Sequence, residues 1–288
     1  MKTFFHILNP NRSNAKGVRH FFDANPGLEH MWVERTSHPT HLETVTQWAI
    51  KEGRPRIAVW GGDGTLSRVV QCLYNLNALE KSVLALSPVG TCNDFARKMN
   101  FSGWKKWAKA GLRSGGGEKG IDVGMLSSWL GVRTFINNAG FGRAPAALGR
   151  KSSPVRDIFS FTEKRLDLDW TLKETRQFET RSALLGIVFN APYFNGGMHF
   201  DKSVRPDDNV LNAYFEAPQS RWGLLLKFLK SRLGGSLKGR STFALEMQSL
   251  RMESNADLFP QVDGEAAFPS AVRSLEFSLL PSKLRLLI

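Results

Sequence analysis

Gly61-Gly62-Asp63-Gly64-Thr65 follows the apolar, β-branched run Ile57-Ala58-Val59-Trp60 and precedes a helical pattern of Leu66, Val69, Val70, Leu73 and Tyr74. That order reads as strand, tight glycine loop, helix N-terminus. Glycine lets a backbone take positive φ and approach a ligand closely. A helix N-terminus beyond the loop offers N–H donors and the positive end of a dipole, which suits phosphate. An aspartate at position 63 would repel phosphate, so it is expected to serve a metal, a proton or a backbone turn.

Strand and helix signals alternate around this loop. Strands are expected over residues 3–9, 30–36, 56–60 and 82–87, and helices over 13–24, 39–51 and 66–76. Such alternation predicts a mainly parallel sheet covered by helices. Ligands of open sheets of this kind bind at the carboxyl ends of the strands. A second loop falls there, Pro88-Val89-Gly90-Thr91-Cys92-Asn93-Asp94-Phe95-Ala96-Arg97, again joining glycine, threonine and aspartate after a strand. Two such loops on neighbouring strand ends would hold a nucleotide from two sides. Asn93 and Asp94 either bind a hydroxyl or hydrated cation, or cap the helix begun by Phe95 and Ala96.

Beyond the flexible Ser114-Gly115-Gly116-Gly117 and the Ile121-Asp122-Val123-Gly124 segment the pattern changes. β-like runs over 134–138, 183–189, 211–215, 243–247, 258–262, 275–280 and 284–288 predict an antiparallel sandwich. The expected division is therefore an α/β domain over 1–124 and a β-sandwich domain over 125–288. Near its end, Gln261-Val262-Asp263-Gly264-Glu265 sets two carboxylates around a glycine, although Asp-Gly is also an ordinary hairpin turn. One helix interrupts the strands around residues 222–233. Trp222, Leu225, Leu226, Leu229 and Leu233 share one of its faces, with Lys227, Lys230 and Arg232 elsewhere. Two readings are open: the helix lies on an anionic membrane surface, or it packs its apolar face on the sandwich.

A chain of 288 residues, 42% hydrophobic and 23% charged, suits two ordinary domains and excludes wholesale disorder. No apolar run approaches the roughly 20 residues of a membrane span. Met1-Lys2-Thr3-Phe4-Phe5-His6-Ile7-Leu8 is too short for a signal peptide and reads as a buried strand. Cys72 and Cys92 give neither a disulfide framework nor metal spacing, so a reducing cytosol is the expected compartment. His38 and His41 lack a carboxylate partner, and no metal is expected there. The formal charge of +13 favours a polyanion: nucleic acid, an anionic membrane or a phosphorylated small molecule. The excess is local. Six basic residues and no acid lie between Arg97 and Arg113, and six more, again unopposed, from Arg221 to Arg240.

Taken together, GGDGT, the PxGTxNDFAR segment, the IDVG strand and the distal VDGE resemble the diacylglycerol kinase catalytic family, in particular its soluble bacterial lipid kinases. The likeness extends over nearly the whole chain. It takes in Asn9-Pro10, Phe135-Ile136-Asn137-Asn138-Ala139-Gly140-Phe141-Gly142, Gly196-Gly197-Met198 and Asp207-Asp208. The resemblance implies an N-terminal α/β nucleotide-binding domain with a parallel sheet, as in NAD kinase and diacylglycerol kinase. It also implies a C-terminal antiparallel β-sandwich domain and a cleft between the two. ATP phosphates would lie on Gly61, Gly62, Asp63, Gly64 and Thr65, with Asn9, Gly90, Thr91, Asn93, Asp94, Asp122 and Glu265 lining the same cleft. Asp263 would be the base toward a lipid hydroxyl, and Asp63 the other catalytic residue, one of an acidic cluster for Mg²⁺ and hydroxyl positioning. A structural Mg²⁺ would sit at Asp208, with the backbone carbonyls of Arg205 and Val210. Departures from the family pattern lie at Lys202, Asn209 and Asn212, which weaken that metal site, and at Cys92, for which no redox role is expected. The first loop also lacks the family's early glycine.

The chemistry suits the motifs. Phosphoryl transfer needs in-line positioning and charge compensation by Mg²⁺ and N–H donors rather than covalent help. An aspartate orients the acceptor hydroxyl and takes its proton as the new bond forms. No GxxxxGK[ST], HRD or DFG motif occurs, which disfavours P-loop and protein-kinase mechanisms. The expected activity is ATP- and Mg²⁺-dependent phosphorylation of a membrane lipid such as diacylglycerol, in the cytoplasm and peripherally on the inner membrane face. Asn at 63 or 263 is expected to remove activity and spare the fold. An NAD kinase, which shares GGDGT, and an inactive nucleotide-responsive membrane-binding protein are the competing readings. No nucleic-acid partner is expected, since charge alone suggests one. A homodimer is left open.

Overall fold

The computed structural model describes residues 4–9, 15–26, 30–32, 41–100, 117–142, 161–280 and 284–288. Most of the first basic stretch, the Ser114–Gly116 glycine segment, Pro10–Asn14 of the first loop and His38 fall outside them. Two compact units divide the chain: Met1–Ile121 with Ser282–Ile288, and Asp122–Pro281.

In the first unit, strands β1 (Phe5–Leu8), β2 (His30–Trp32), β3 (Arg56–Gly61) and β4 (Val83–Pro88) alternate with helices α1 (Ala15–Asp23), α2 (His41–Lys51), α3 (Asp63–Asn75) and α4 (Asp94–Lys98). With β5 (Glu118–Ile121) and the last strand, β20 (Leu284–Leu287), they form one sheet of order β2-β1-β3-β4-β20-β5. Every pairing is parallel except β20 with β5. Strands β3 and β4 are continuous apolar runs because both faces of a parallel sheet are covered, and Ile57, Ala58, Val59, Trp60, Leu84 and Ala85 are fully buried. Inside this core the Trp60 indole donates to Nδ1 of buried His6 at 3.0 Å, so neither polar group is orphaned.

Two features of this unit differ from expectation. Helix α3 starts at Asp63, within the glycine motif, and not at Leu66. The final strand, grouped by sequence with the sandwich, lies between β4 and β5. Its Leu284, Leu286 and Leu287 are buried while Arg285 points outward to Glu118, a pattern that fits any sheet. Membership was decided by the available slot.

The second unit is an antiparallel sandwich. One sheet has the order β10-β9-β16-β19-β6-β7. Its strands are β6 (Gly124–Ser128), β7 (Gly131–Phe135), β9 (Lys164–Leu172), β10 (Thr175–Ala183), β16 (Ser249–Leu258) and β19 (Val272–Leu279). The other has the order β15-β14-β11-β8-β17-β18. It is built from β8 (Asn138–Phe141), β11 (Leu185–Phe189), β14 (Leu211–Glu216), β15 (Thr242–Met247), β17 (Gln261–Val262) and β18 (Glu265–Ala266). Their inner faces share a core that includes Phe135, Phe141, Leu168, Val188, Phe215, Met252 and Phe277.

The second sheet is covered again on its outer face. Helix α5 (Arg221–Arg232) and the small hairpin of β12 (Tyr193–Phe194) and β13 (Met198–His199) pack Leu224, Phe194 and Met198 against Ile187, Phe189 and Tyr214. Strand β11 is therefore buried on both sides and shows no alternation. Strands β9, β10 and β16 lie almost wholly outside the predicted runs. In β9 and β16 apolar residues alternate with polar and charged ones, as in Arg165-Leu166-Asp167-Leu168-Asp169, because one face is wet, whereas β10 is exposed along nearly its whole length.

Deleting residues 284–288 is expected to unfold the first unit. It exposes the edges of β4 and β5 and removes three buried leucines, each contributing about 1.5–3 kcal/mol, against a domain stability of about 5–15 kcal/mol. Circular dichroism with limited proteolysis would show residues 4–100 degraded while the sandwich survives.

Candidate active site

Three neighbouring parallel strands bring the first group of predicted residues together at their carboxyl ends. Asn9 follows β1, Gly61 ends β3, and Gly90 follows β4. The Asn9 N–H donates to the Trp60 carbonyl at 2.7 Å, and its side chain donates to Thr65 Oγ1 at 3.0 Å. A side chain at Gly61 would meet Thr65 at 2.6 Å. The two loops also touch. A Cβ on Gly90 would fall 2.3 Å from Gly62 Cα and 2.7 Å from Asn93 Oδ1, so only glycine permits this approach. Gly62 occupies the N-cap of α3, where no side chain caps the helix.

Asp63 has a defined partner. Its Oδ2 accepts the Asp94 N–H at 2.9 Å and its Oδ1 the Phe95 N–H at 3.1 Å. The carboxylate thus caps α4 from the neighbouring loop, which ties Gly61–Thr65 to Gly90–Asp94. Asn93 itself is left-handed (φ 50°), does not cap with its side chain, and instead donates Nδ2 to the Gly90 carbonyl at 2.7 Å. Its Oδ1 is buried and accepts no hydrogen bond among the described residues. Gly64 and Thr65 lie in the first turn of α3, Thr91 lies in the second loop, and Asp94, buried, is the first residue of α4.

The second group lies in the sandwich unit. Asp263 is left-handed (φ 47°) at the β17–β18 turn, and its N–H donates to the Asn138 carbonyl at 2.8 Å. Its carboxylate accepts the N–H groups of Ile136 (3.1 Å), Asn137 (2.9 Å) and Asn138 (3.0 Å). These donors fall where the run predicted over 134–138 breaks between β7 and β8. The strand stops there because its amides turn to Asp263. Glu265 pairs across the same hairpin with Val262.

Asn190, fully buried and missed by the sequence reading, secures the other side. Its Nδ2 donates to the carbonyls of Asp122 (2.8 Å) and Ile136 (2.9 Å), and its N–H to that of Asn137 (2.9 Å). Nothing in its local sequence Val188-Phe189-Asn190-Ala191 marks it except a polar residue closing an apolar strand.

A family model described as diacylglycerol kinase catalytic domain matches residues 3–126. A diacylglycerol kinase of Bacillus subtilis is 31% identical over 239 residues, covering 82% of this chain and 67% of its own. The chain belongs to the diacylglycerol kinase family. A "Probable lipid kinase YegS-like" protein of Pseudomonas aeruginosa is 29% identical over 254 residues, 84% of this chain and 79% of its own. The fold matches the crystal structure of a diacylglycerol kinase from Bacillus anthracis with a TM-score of 0.71 at 19% identity, covering 99% of this chain and 96% of that one.

Asp122, expected to line the nucleotide cleft, bonds within its own unit to the 206–210 turn. Its N–H donates to the Pro206 carbonyl at 2.7 Å and its Oδ2 accepts the Asn209 N–H at 2.8 Å. Asn209 takes the left-handed conformation (φ 61°) that glycine would supply. The Arg205 side chain pairs with Asp207 at 3.1 Å, and the Val210 N–H donates to Asp208 Oδ1 at 3.1 Å. Burial, then repulsion from Asp122 and Asp207, pushes the Asp208 carboxyl above its usual range. Within each unit, no group of three or more His, Cys, Asp or Glu side chains among the described residues is poised to hold a metal ion.

The geometry adds a cost in stability to one expectation, the Asn substitutions at 63 and 263. Both aspartates accept backbone N–H groups, so an Asn amide at either site turns a donor toward a donor. Asp63→Asn is expected to destabilise by about 0.5–2 kcal/mol and Asp263→Asn by about 1–3 kcal/mol. Gly90→Ala forces the loops apart, at about 1–3 kcal/mol. Urea denaturation followed by far-UV circular dichroism measures all three, and unchanged midpoints would refute the contacts.

Proposed function

We propose that this chain is an ATP-dependent lipid kinase that transfers a phosphoryl group to a hydroxyl of a membrane lipid such as diacylglycerol. The observation carrying this reading is the junction of two glycine loops at the carboxyl ends of β3 and β4, held by the Asp63 carboxylate on the N–H groups of Asp94 and Phe95. With those two donors on it, Asp63 presents less negative charge to an incoming phosphate. The glycine contact keeps side chains away from the N-terminus of α3, whose N–H groups favour an anion. Buried Asn93 Oδ1 is an acceptor suited to a nucleotide hydroxyl or amine. ATP supplies the phosphoryl group and Mg²⁺ its charge compensation.

Asp263 is the proposed base. Three backbone donors fix its oxygens, so the carboxylate is oriented before substrate arrives, and it accepts the hydroxyl proton as the acceptor attacks. The Asp122–Asn209 bond and the two Asn190 side-chain bonds hold the backbone that carries those donors. Asp208 fits a divalent cation by chemistry: its carboxylate is a hard oxygen donor, and a cation would relieve its repulsion with Asp122 and Asp207. Backbone carbonyls at Arg205 and Val210 would complete that site.

Incubating the protein with γ-labelled ATP, Mg²⁺ and a total lipid extract is expected to yield new phosphate monoesters detectable by mass spectrometry. Their absence across all lipid classes would sink the proposal. Asp263→Asn, assayed below its melting range, is expected to lower turnover about 100-fold or more. For the cation, Mg²⁺ at about 100 times its dissociation constant is expected to stabilise the sandwich by about 2.7 kcal/mol, and Asp208→Asn should abolish this. Equal stabilisation of the variant would remove Asp208 from the site.

A further inference from the structure

Helix α5 presents apolar side chains to solvent. Trp222 is 69% exposed, Leu226 65%, Leu229 49% and Leu233, its C-cap, 91%. Steps of four, three and four residues confine them to an arc of about 60° on a helix turning about 100° per residue. The expected packing face included these residues, but the face that packs on the sandwich is formed by Leu224, Leu225 and Phe228. The stripe is therefore left over after the helix has met its own core requirement.

The helix is held with this stripe outward by an ion pair from half-buried Lys227 to buried Glu216. Lys227 Nζ donates to both carboxylate oxygens of Glu216 at 2.7 Å, to Ser241 Oγ at 3.1 Å and to Thr242 Oγ1 at 3.0 Å. The Ser220 hydroxyl caps the helix by accepting the Gly223 N–H at 3.1 Å. Basic residues lie on the helix and in the segment that follows it. Lys230 and Arg240 are exposed, Arg221 opens the helix, and Lys238 is exposed beside Asp201. No acidic residue occurs from Ala217 to Leu245. No helix among the described residues is long and apolar enough to cross a membrane.

Exposed apolar patches of this kind mark protein or membrane contacts. Two copies docked through this face would bring like charges together, which disfavours self-association. A surface that is anionic at its headgroups and apolar beneath satisfies both the charge and the stripe. Tryptophan suits that boundary because its ring is apolar and its N–H polar.

We propose that α5 docks this protein on anionic lipid surfaces. Trp222, Leu226, Leu229 and Leu233 enter the headgroup–acyl boundary, and the flanking lysines and arginines meet lipid phosphates. The proposal deepens the lipid kinase reading by naming the surface that meets the substrate's membrane.

Flotation without nucleotide tests the docking independently of turnover. Vesicles of phosphatidylcholine alone are compared with vesicles containing increasing phosphatidylglycerol. The wild type is expected to float increasingly with phosphatidylglycerol and to be partly released by salt. Leu226→Glu/Leu229→Glu should lower partitioning about tenfold or more, and Lys230→Glu/Arg240→Glu should remove its dependence on phosphatidylglycerol. If the first pair also lowers the melting temperature, Leu226→Ser/Leu229→Ser replaces it and should weaken flotation in the same direction. Turnover on detergent-dispersed lipid should be unchanged in these variants. Wild type that ignores phosphatidylglycerol, or a stripe variant that melts and floats like wild type, would overturn the proposal. So would a stripe variant that floats normally but turns a dimer into a monomer by light scattering, since the face would then belong to a second copy.

Discussion

Backbone N–H groups left over where strands end must find acceptors, and in both units an aspartate beside a glycine provides one. Asp63 accepts two from the start of α4, and Asp263 accepts three from the break between β7 and β8. Each carboxylate joins segments that are distant in sequence. Asp63 binds residues 31 and 32 positions away, and Asp263 binds residues 125 to 127 away. Charge-assisted bonds of this kind are roughly twice as strong as neutral ones. The two motifs are thus structural staples before they are chemical groups.

That dual use suits a phosphoryl transferase. The reaction needs fixed donors and fixed carboxylate oxygens more than it needs a reactive side chain. A base held by backbone amides loses little orientational freedom when its substrate arrives. The contact between Gly62 and Gly90 serves the same end at the other strand ends, because two loops that touch through their Cα atoms cannot drift apart without losing the α4 cap.

The sandwich shows how a surface is kept apolar without loss of order. Helix α5 meets its core with Leu224, Leu225 and Phe228, and Glu216, itself buried, receives Lys227 with help from Ser241 and Thr242. Removing one partner of such a pair strands a charge, so the pair is a strong positional constraint even where its net stabilisation is small. With the helix fixed in this way, Trp222 and Leu233 remain exposed.

Local signals were enough to read the four strands β1 to β4 of the first sheet and the loops that follow β3 and β4. The strand–glycine–helix order around residues 57–74, the repeat of that order at 83–97 and the turn chemistry at Asp263 and Asn209 each depend on neighbours within a few residues. They determined the α/β unit, the antiparallel sandwich and the family. Long-range partners were not legible. The slot between β4 and β5 for Leu284–Leu287, the acceptors of Asn190 and the cap that Asp63 places on α4 all join residues far apart in the chain. Helix α5 shows the same limit at closer range. Its sequence carried two apolar faces, and periodicity does not say which one meets a core. Only the folded sandwich, by burying Leu224 and pairing Lys227 with Glu216, decided which face was left to water.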